Sequence, residues 1–220
     1  ESSKKCYKEA IKITPGYASA NWNLSLSYLL CGQYELGWLY YHWRSKIKRG
    51  LKPHAQPRIR KRNSNNLEKG ETLLVVTEQG LGDTIQYMRY IPYLRSLGIN
   101  VSFCAQSKLH NLIKASNIDL NPLSPKSSSF VKEGKWIPLI SLLKHFSVGP
   151  LNPLITTQYI FSTKQLIKKW KTILSNEKKP VIGINWQGSP GIEKTTYKGR
   201  SLPLEIFSKP QFRIISVLLV

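Results

Sequence analysis

A short, almost continuously apolar run, Glu71-Thr72-Leu73-Leu74-Val75-Val76, leads directly into Thr77-Glu78-Gln79-Gly80-Leu81-Gly82-Asp83-Thr84. A run of this length reads as a strand buried on both faces, and such strands belong to parallel sheets covered by helices. Beyond the two glycines, Ile85, Met88 and Ile91 recur at i, i+3 and i+6 and are joined by Leu94 and Leu97. That spacing predicts an amphipathic helix with Gly98 as its C-terminal stop and a kink at Pro92, which has no N–H to donate. The glycines thus sit at a strand-to-helix turn, where backbone comes close to a ligand. Asn100 to Ala105 reads as the second strand, Ser107 to Ala115 as the second helix and Ile118 to Leu123 as a weak third strand. Strand alternating with helix is the pattern of a doubly wound α/β domain.

Upstream the periodicity is helical. Tyr7, Ala10 and Ile11 mark a helix from Lys4 to Ile13 that Pro15-Gly16 ends, and Trp22, Leu26 and Leu29 mark a second from Ala18 to Leu30 that stops at Gly32. A third follows from Tyr34 to about Ile47. Two readings stand side by side: a plain helical hairpin capping the domain that follows, or one repeat of a helical array preceded by the last helix of another. The aromatic and leucine side chains are packing residues under either. Between Arg44 and Arg62 come nine basic residues and no acidic one, with Pro53 and Pro57 excluding a continuous helix. This run reads as a solvated strap between domains. Contact with an anionic membrane surface is a second use for it, and nucleic-acid binding is disfavoured because no aromatic interleaving after Trp43 offers a stacking platform.

Charge points in the same broad direction without choosing a partner. Thirty-three Lys and Arg against twelve Asp and Glu leave a net charge of +21, spread along most of the chain. Such a balance suits nucleic acid, anionic lipid or a phosphate-bearing small substrate, and equally a lysine-rich proteome. Cys6, Cys31 and Cys104 form neither a CxxC pair nor a disulfide framework, so a reducing, cytoplasmic setting is expected. There is no apolar run long enough to span a bilayer and no secretory signal pattern.

Farther along, serines and lysines from Pro125 to Gly134 mark a loop, and Trp136 to Phe146 is apolar. Leu166, Ile167, Trp170, Ile173 and Leu174 give one apolar side to a basic helix spanning Thr163 to Leu174. Past a hinge at Asn176 to Pro180, Val181-Ile182-Gly183-Ile184-Asn185-Trp186 and then Gln187-Gly188-Ser189-Pro190-Gly191 repeat the strand-then-glycine arrangement, as the opening of a second α/β domain would. Phe212 to Val220 reads as its second strand. A chain that stops there leaves an apolar strand unpaired, so a truncated copy or a segment of a longer protein is expected.

Gly80-x-Gly82 lacks the third glycine of a dinucleotide fingerprint and the acid about twenty residues on, and it lacks the Lys-Ser/Thr of a phosphate-binding P-loop. What it carries is Asp83, one of only two Asp in the chain, at the mouth of a helix. Capping accounts for that acid well: Asp83 as N-cap with Gln86 at the third helical position is a capping-box variant.

Glu78-Gln79-Gly80-Leu81-Gly82-Asp83-Thr84-Ile85-Gln86 with Arg89-Tyr90, followed by Gly183-Ile184-Asn185-Trp186-Gln187-Gly188-Ser189-Pro190 and Arg200-Ser201, resembles bacterial proteins that join tetratricopeptide repeats to a heptosyltransferase-like domain of glycosyltransferase family nine. The string Asn23-Leu24, Gly32-Gln33-Tyr34, Gly37 and Tyr41 matches the repeat part. The resemblance implies tetratricopeptide-like helices over 1–50, a basic linker over 51–70, a Rossmann-like N-terminal domain of the GT-B fold over 71–175 and an incomplete second Rossmann-like domain over 176–220. It implies transfer of a sugar from a nucleotide-sugar donor, taken as substrate and not as cofactor, to a glycan or lipopolysaccharide-type acceptor, with no metal. Asp83 falls on the position of the general base for an acceptor hydroxyl. A carboxylate is a weak base at neutral pH, so its effect would come from placement in a partly desolvated cleft. Gln79, Gly80, Gly82 and Gln86 would contact substrate, and Arg200 with Lys198 or Lys194 would neutralise the departing diphosphate. The expected location is the cytoplasm, with the basic run as the means of peripheral contact with the inner membrane. The donor half of the cleft is incomplete in this chain, and a non-catalytic module that binds a protein partner through the repeat helices is the alternative.

Overall fold

The computed structural model describes residues 2–48, 50–63, 66–146, 148–149, 153–177, 188 and 201–203. The chain divides into two compact units, Glu1–Thr163 and Lys164–Val220. The first is an α/β unit with three parallel strands, β1 (Thr72–Val76), β2 (Asn100–Cys104) and β3 (Lys135–Pro138), in the order β2-β1-β3. Leu73 pairs with Val101 on one side and Lys135 on the other, so β1 is central.

The two faces of β1 divide by alternation. Leu73 and Val75 join Met88, Ile91, Leu94, Phe103 and Ile113 in the main core, while Leu74, Val76 and Cys104 meet Ala55, Ile59 and Val131 on the opposite face. The first face is roofed by helices, α4 (Leu81–Tyr87), α5 (Tyr90–Ser96) and α6 (His110–Ala115). The expected helical cover is absent from the second face among the described residues of this unit; extended segments cover it instead. Chain order explains the difference. From β1 the chain moves outward to β2 and then to Leu123, which bonds to the outer edge of β2 through Leu123 N–H to Phe103 O at 2.8 Å and Ala105 N–H to Leu123 O at 3.0 Å. It returns to β3 through a loop that carries Val131 across the second face. The expected strand over Ile118 to Leu123 therefore reduces to a single bridge at Leu123.

The helix after the glycines is split, not merely kinked. Proline lacks the N–H that would bond to the carbonyl four residues back, and its ring crowds that carbonyl. For Pro92 that carbonyl is Met88 O, and it accepts from Ile91 N–H at 3.0 Å in a tighter turn. Helix α4 ends there, and Pro92 falls in the first turn of α5, where a missing donor is harmless. Gly98, with φ of +78°, ends α5 as expected: Ile99 N–H reaches back to Leu94 O at 3.2 Å, a closure that needs a residue in the left-handed region.

Helices α1 (Ser2–Ile13), α2 (Ala18–Leu30) and α3 (Tyr34–Tyr40) pack in sequence, α1 on α2 and α2 on α3. The third is shorter than expected and continues as a tight turn over Tyr41–Ser45. Trp38 Nε1 donates to Val148 O at 2.9 Å, fixing α3 to the α/β unit. The basic run that follows is not a solvated strap. His54 N–H donates to Thr77 O at 2.9 Å, and Arg62 N–H to Trp136 O at 2.8 Å, so the run crosses the end of β1 and lies along the free edge of β3. Arg44 and Arg62 are buried within it. In the second unit, α7 spans Lys164–Leu174, and Gly188 N–H donates to Ser201 Oγ at 2.9 Å. The expected strands at Val181 to Trp186 and Phe212 to Val220, and the basic residues Lys194, Lys198 and Arg200, lie outside the described residues. No described helix is long and apolar enough to cross a membrane.

Candidate functional site

Parallel sheets present their ligand sites beyond the carboxyl ends of the strands. At that end of β1 the chain runs Thr77, Glu78, Gln79 and Gly80 into α4. Thr77 and Glu78 are buried, Gln79 and Asp83 half-buried, and Gly80 and Gly82 exposed. Gly80 occupies the N-cap with φ of −80° and ψ of 171°. Its N–H donates to Asp83 Oδ2 at 2.9 Å, so Asp83 is the third helical residue reaching back and not the N-cap itself. The helix begins three residues earlier than the capping pattern around Asp83 and Gln86 suggests. Among the described residues Asp83 Oδ1 has no hydrogen-bond partner.

Gly82 is informative because folding does not ask for it. It lies in the first turn of α4, its φ is not in the left-handed region, and a Cβ there would meet nothing within 4 Å. Any good helix former would be more stable at this position. The open space lies on the exposed side of the loop.

Gln79 has φ of +64°, a left-handed conformation that is strained in a residue with a side chain. Its Nε2 donates to Tyr41 Oη at 3.1 Å. Burial raises the Tyr41 phenol above its ordinary value, partly opposed by that bond and by Arg44, so it stays neutral and available as acceptor. Trp22 and Trp38 contact its ring edge-on, with centroids 4.9 and 5.1 Å away. The Arg44 guanidinium stacks on the same ring, 4.6 Å from its centroid.

Arg44 grips the residue before Gln79. Its Nε donates to Glu78 Oε2 at 3.0 Å, and its Nη2 pairs with Glu78 Oε1. Nη2 also donates to Ser141 Oγ at 2.9 Å and Nη1 to Tyr41 O at 2.9 Å, while Ile140 N–H donates to Glu78 Oε1 at 3.3 Å. The N-terminal helices thus hold both residues that lead into the glycine turn. On the other side, Thr84 Oγ1 donates to Gln106 Oε1 at 2.9 Å, tying α4 to the end of β2. Burial pushes the nearby Tyr87 phenol up to about 12, with the negative charge of Asp83 among the lesser contributors.

Of the residues expected in a site, Gln79, Gly80, Gly82 and Asp83 come together on one turn. Gln86 lies one helical turn on and lines a separate cavity of about 310 Å³ with Tyr34, Trp38 and Arg89. Arg44, Tyr41 and Thr84 were not expected there. Only the buried-pair requirement for a fully enclosed Glu78 could have pointed to a cation, and nothing local named which one. Among the described residues no group of three or more His, Cys, Asp or Glu is placed to hold a metal. No protein-family model, curated protein or solved structure matches the chain.

Proposed function

We propose that the chain is part of a sugar transferase of the heptosyltransferase-like kind, with Asp83 as the base that accepts the proton of an acceptor hydroxyl. Its helices α1 to α3 are the tetratricopeptide-like part, and its parallel sheet is the N-terminal half of a GT-B pair of Rossmann-like domains. The reading is carried by one observation: at the carboxyl end of the central parallel strand, a carboxylate is held by one oxygen while the other has no partner among the described residues, beside a glycine that folding does not need. An orienting hydrogen bond on Oδ2 leaves Oδ1 to receive a proton, and a bare backbone at Gly82 leaves room for a sugar ring. Arg200, Lys198 and Lys194 are assigned the contact with the diphosphate on the motif resemblance alone.

The helices serve the loop in this reading. Tyr41 and Arg44 fix Gln79 and Glu78, so they are positioning residues for the turn and argue for a joined structural role over a detached protein-binding module. The experiment is a panel of nucleotide sugars incubated with glycan acceptors, reading release of the nucleoside diphosphate, with the chain alone and with a complete second Rossmann-like half in cis. Acceptor-dependent release that Asp83→Asn abolishes supports the assignment. Release that is independent of acceptor, or unaffected by that substitution, overturns it.

A further inference from the structure

A cavity of about 290 Å³ lies away from the glycine turn, between the Tyr41–Ser45 turn, the Lys61–Asn63 edge and the end of β3. None of Gln79, Gly80, Gly82, Asp83 or Gln86 lines it. Its floor is charge-balanced, since Arg44 pairs with Glu78 and Arg62 with Glu71. Its mouth is not. Lys46, Lys61, Lys144 and His42 all line it, no carboxylate does, and none of the three lysines makes an ion pair among the described residues.

All three lysines are exposed, and two of them stand over aromatic rings. Lys46 Nζ sits 4.2 Å from the centroid of Trp43, and Lys61 Nζ sits 5.4 Å from that of Trp136. Desolvation, followed by the positive charge of Arg44, holds the Lys61 ammonium below its ordinary value; desolvation and then Arg62 do the same to Lys144. His42 is lowered in the same way, by desolvation first and with Lys46, Lys144 and Arg44 as neighbouring charges. Gathering like charges in a partly dehydrated recess is unfavourable until an anion enters, and a multiply charged anion offsets most. Ser141 Oγ accepts from Arg44 and keeps its own hydroxyl hydrogen to donate. Trp38, Ile137 and Pro138 supply apolar wall. The volume exceeds that of a bare anion and falls at the small end of ligand pockets.

We infer that this cavity binds the phosphate group of a small phosphorylated compound, with Lys46, Lys61 and Lys144 meeting the phosphate and its organic part lying against Trp38 and Pro138. The cavity shares Tyr41 and Arg44 with the supports of the glycine turn, but the proposal does not rest on the transferase reading. Lysine suits it because its ammonium is a mobile point charge that follows phosphate without demanding a fixed fork geometry.

Calorimetric titration with pyrophosphate at constant ionic strength is the test. K61Q/K144Q should weaken binding about tenfold or more, while K126Q/K132Q, which removes equal charge from lysines that are likewise exposed but lie outside the cavity, should leave it within about twofold. Equal weakening in the two pairs would assign the binding to the diffuse field of a chain of net charge +21 and overturn the site, as would no binding at all. On the unmodified chain, pyrophosphate should slow acetylation of Lys61 and Lys144 and not of Lys126; uniform slowing contradicts the proposal whether or not the variants fold. Vesicles carrying phosphatidate at equal phosphate separate the two sources of the group. Sedimentation lost in K61Q/K144Q assigns the cavity to a lipid headgroup, and sedimentation indifferent to that pair assigns it to soluble esters.

Discussion

Arg44 and Glu78 meet in a two-point ion pair with both side chains about 2 % exposed. Arg44 belongs to the turn that ends the N-terminal helices, and Glu78 stands two residues before the glycine turn. One buried contact therefore couples the helical and the α/β parts of the chain at the candidate site.

Breaking a buried pair by removing one partner strands the other charge, at about 3–5 kcal/mol. Arg44→Met should lower the free energy of urea unfolding by that amount. In R44M/E78M no charge is stranded, so the loss should be well short of the sum of the single losses. Strict additivity in the double-mutant cycle would show that the pair is not coupled as described.

The Arg44 to Arg62 run shows where reading the chain by itself stops. Nine basic residues without an acid read locally as a solvated strap. The carboxylates that bury Arg44 and Arg62 lie outside the run, at Glu78 beyond the end of β1 and Glu71 before its start, and no local pattern announces a partner 34 residues away. The strand β1, the strand β2 and the stop at Gly98 depend on periodicity and backbone preference within a few residues, and these match expectation closely. Strand β3 was hidden because Pro138, which ends it, reads as a breaker, and its pairing with β1 is made across more than sixty intervening residues. At the candidate site the glycine turn and Asp83 were visible from the motif, but the Tyr41 and Arg44 supports were not.

Two glycines separate folding from function. Gly134 has φ of +84°, and a Cβ there would come within 2.5 Å of Thr72 O. Gly134→Ala should cost about 2 kcal/mol or more, from left-handed strain and backbone overlap together. Gly82→Ala should instead stabilise by about 0.5–1 kcal/mol, as glycine is replaced within a helix with free space around it. If Gly82 leaves room for a substrate, the same variant loses turnover while its melting temperature rises. Paired melting and transfer assays read both signs.

Alkaline stability carries a signature of Tyr87. Its phenol is held up to about 12 in the folded chain, chiefly by desolvation, against about 10 when exposed. Below pH 10 both states keep the proton, and Tyr87 gives no pH dependence. Between pH 10 and about 12 the unfolded chain releases the proton first, so stability falls as pH rises. Tyr87→Phe should make the decline in that window shallower, measured as unfolding free energy against pH. An unchanged slope would place the Tyr87 ring in contact with water.

The most direct test is the rate of sugar transfer by Asp83→Asn. Asn retains a side-chain carbonyl to accept from Gly80 N–H, so its unfolding free energy should stay within about 1 kcal/mol of the parent. Transfer should fall about a hundredfold or more, the usual worth of a positioned base. A stable Asp83→Asn protein that transfers at the parental rate would contradict the account and leave Asp83 as a helix cap alone.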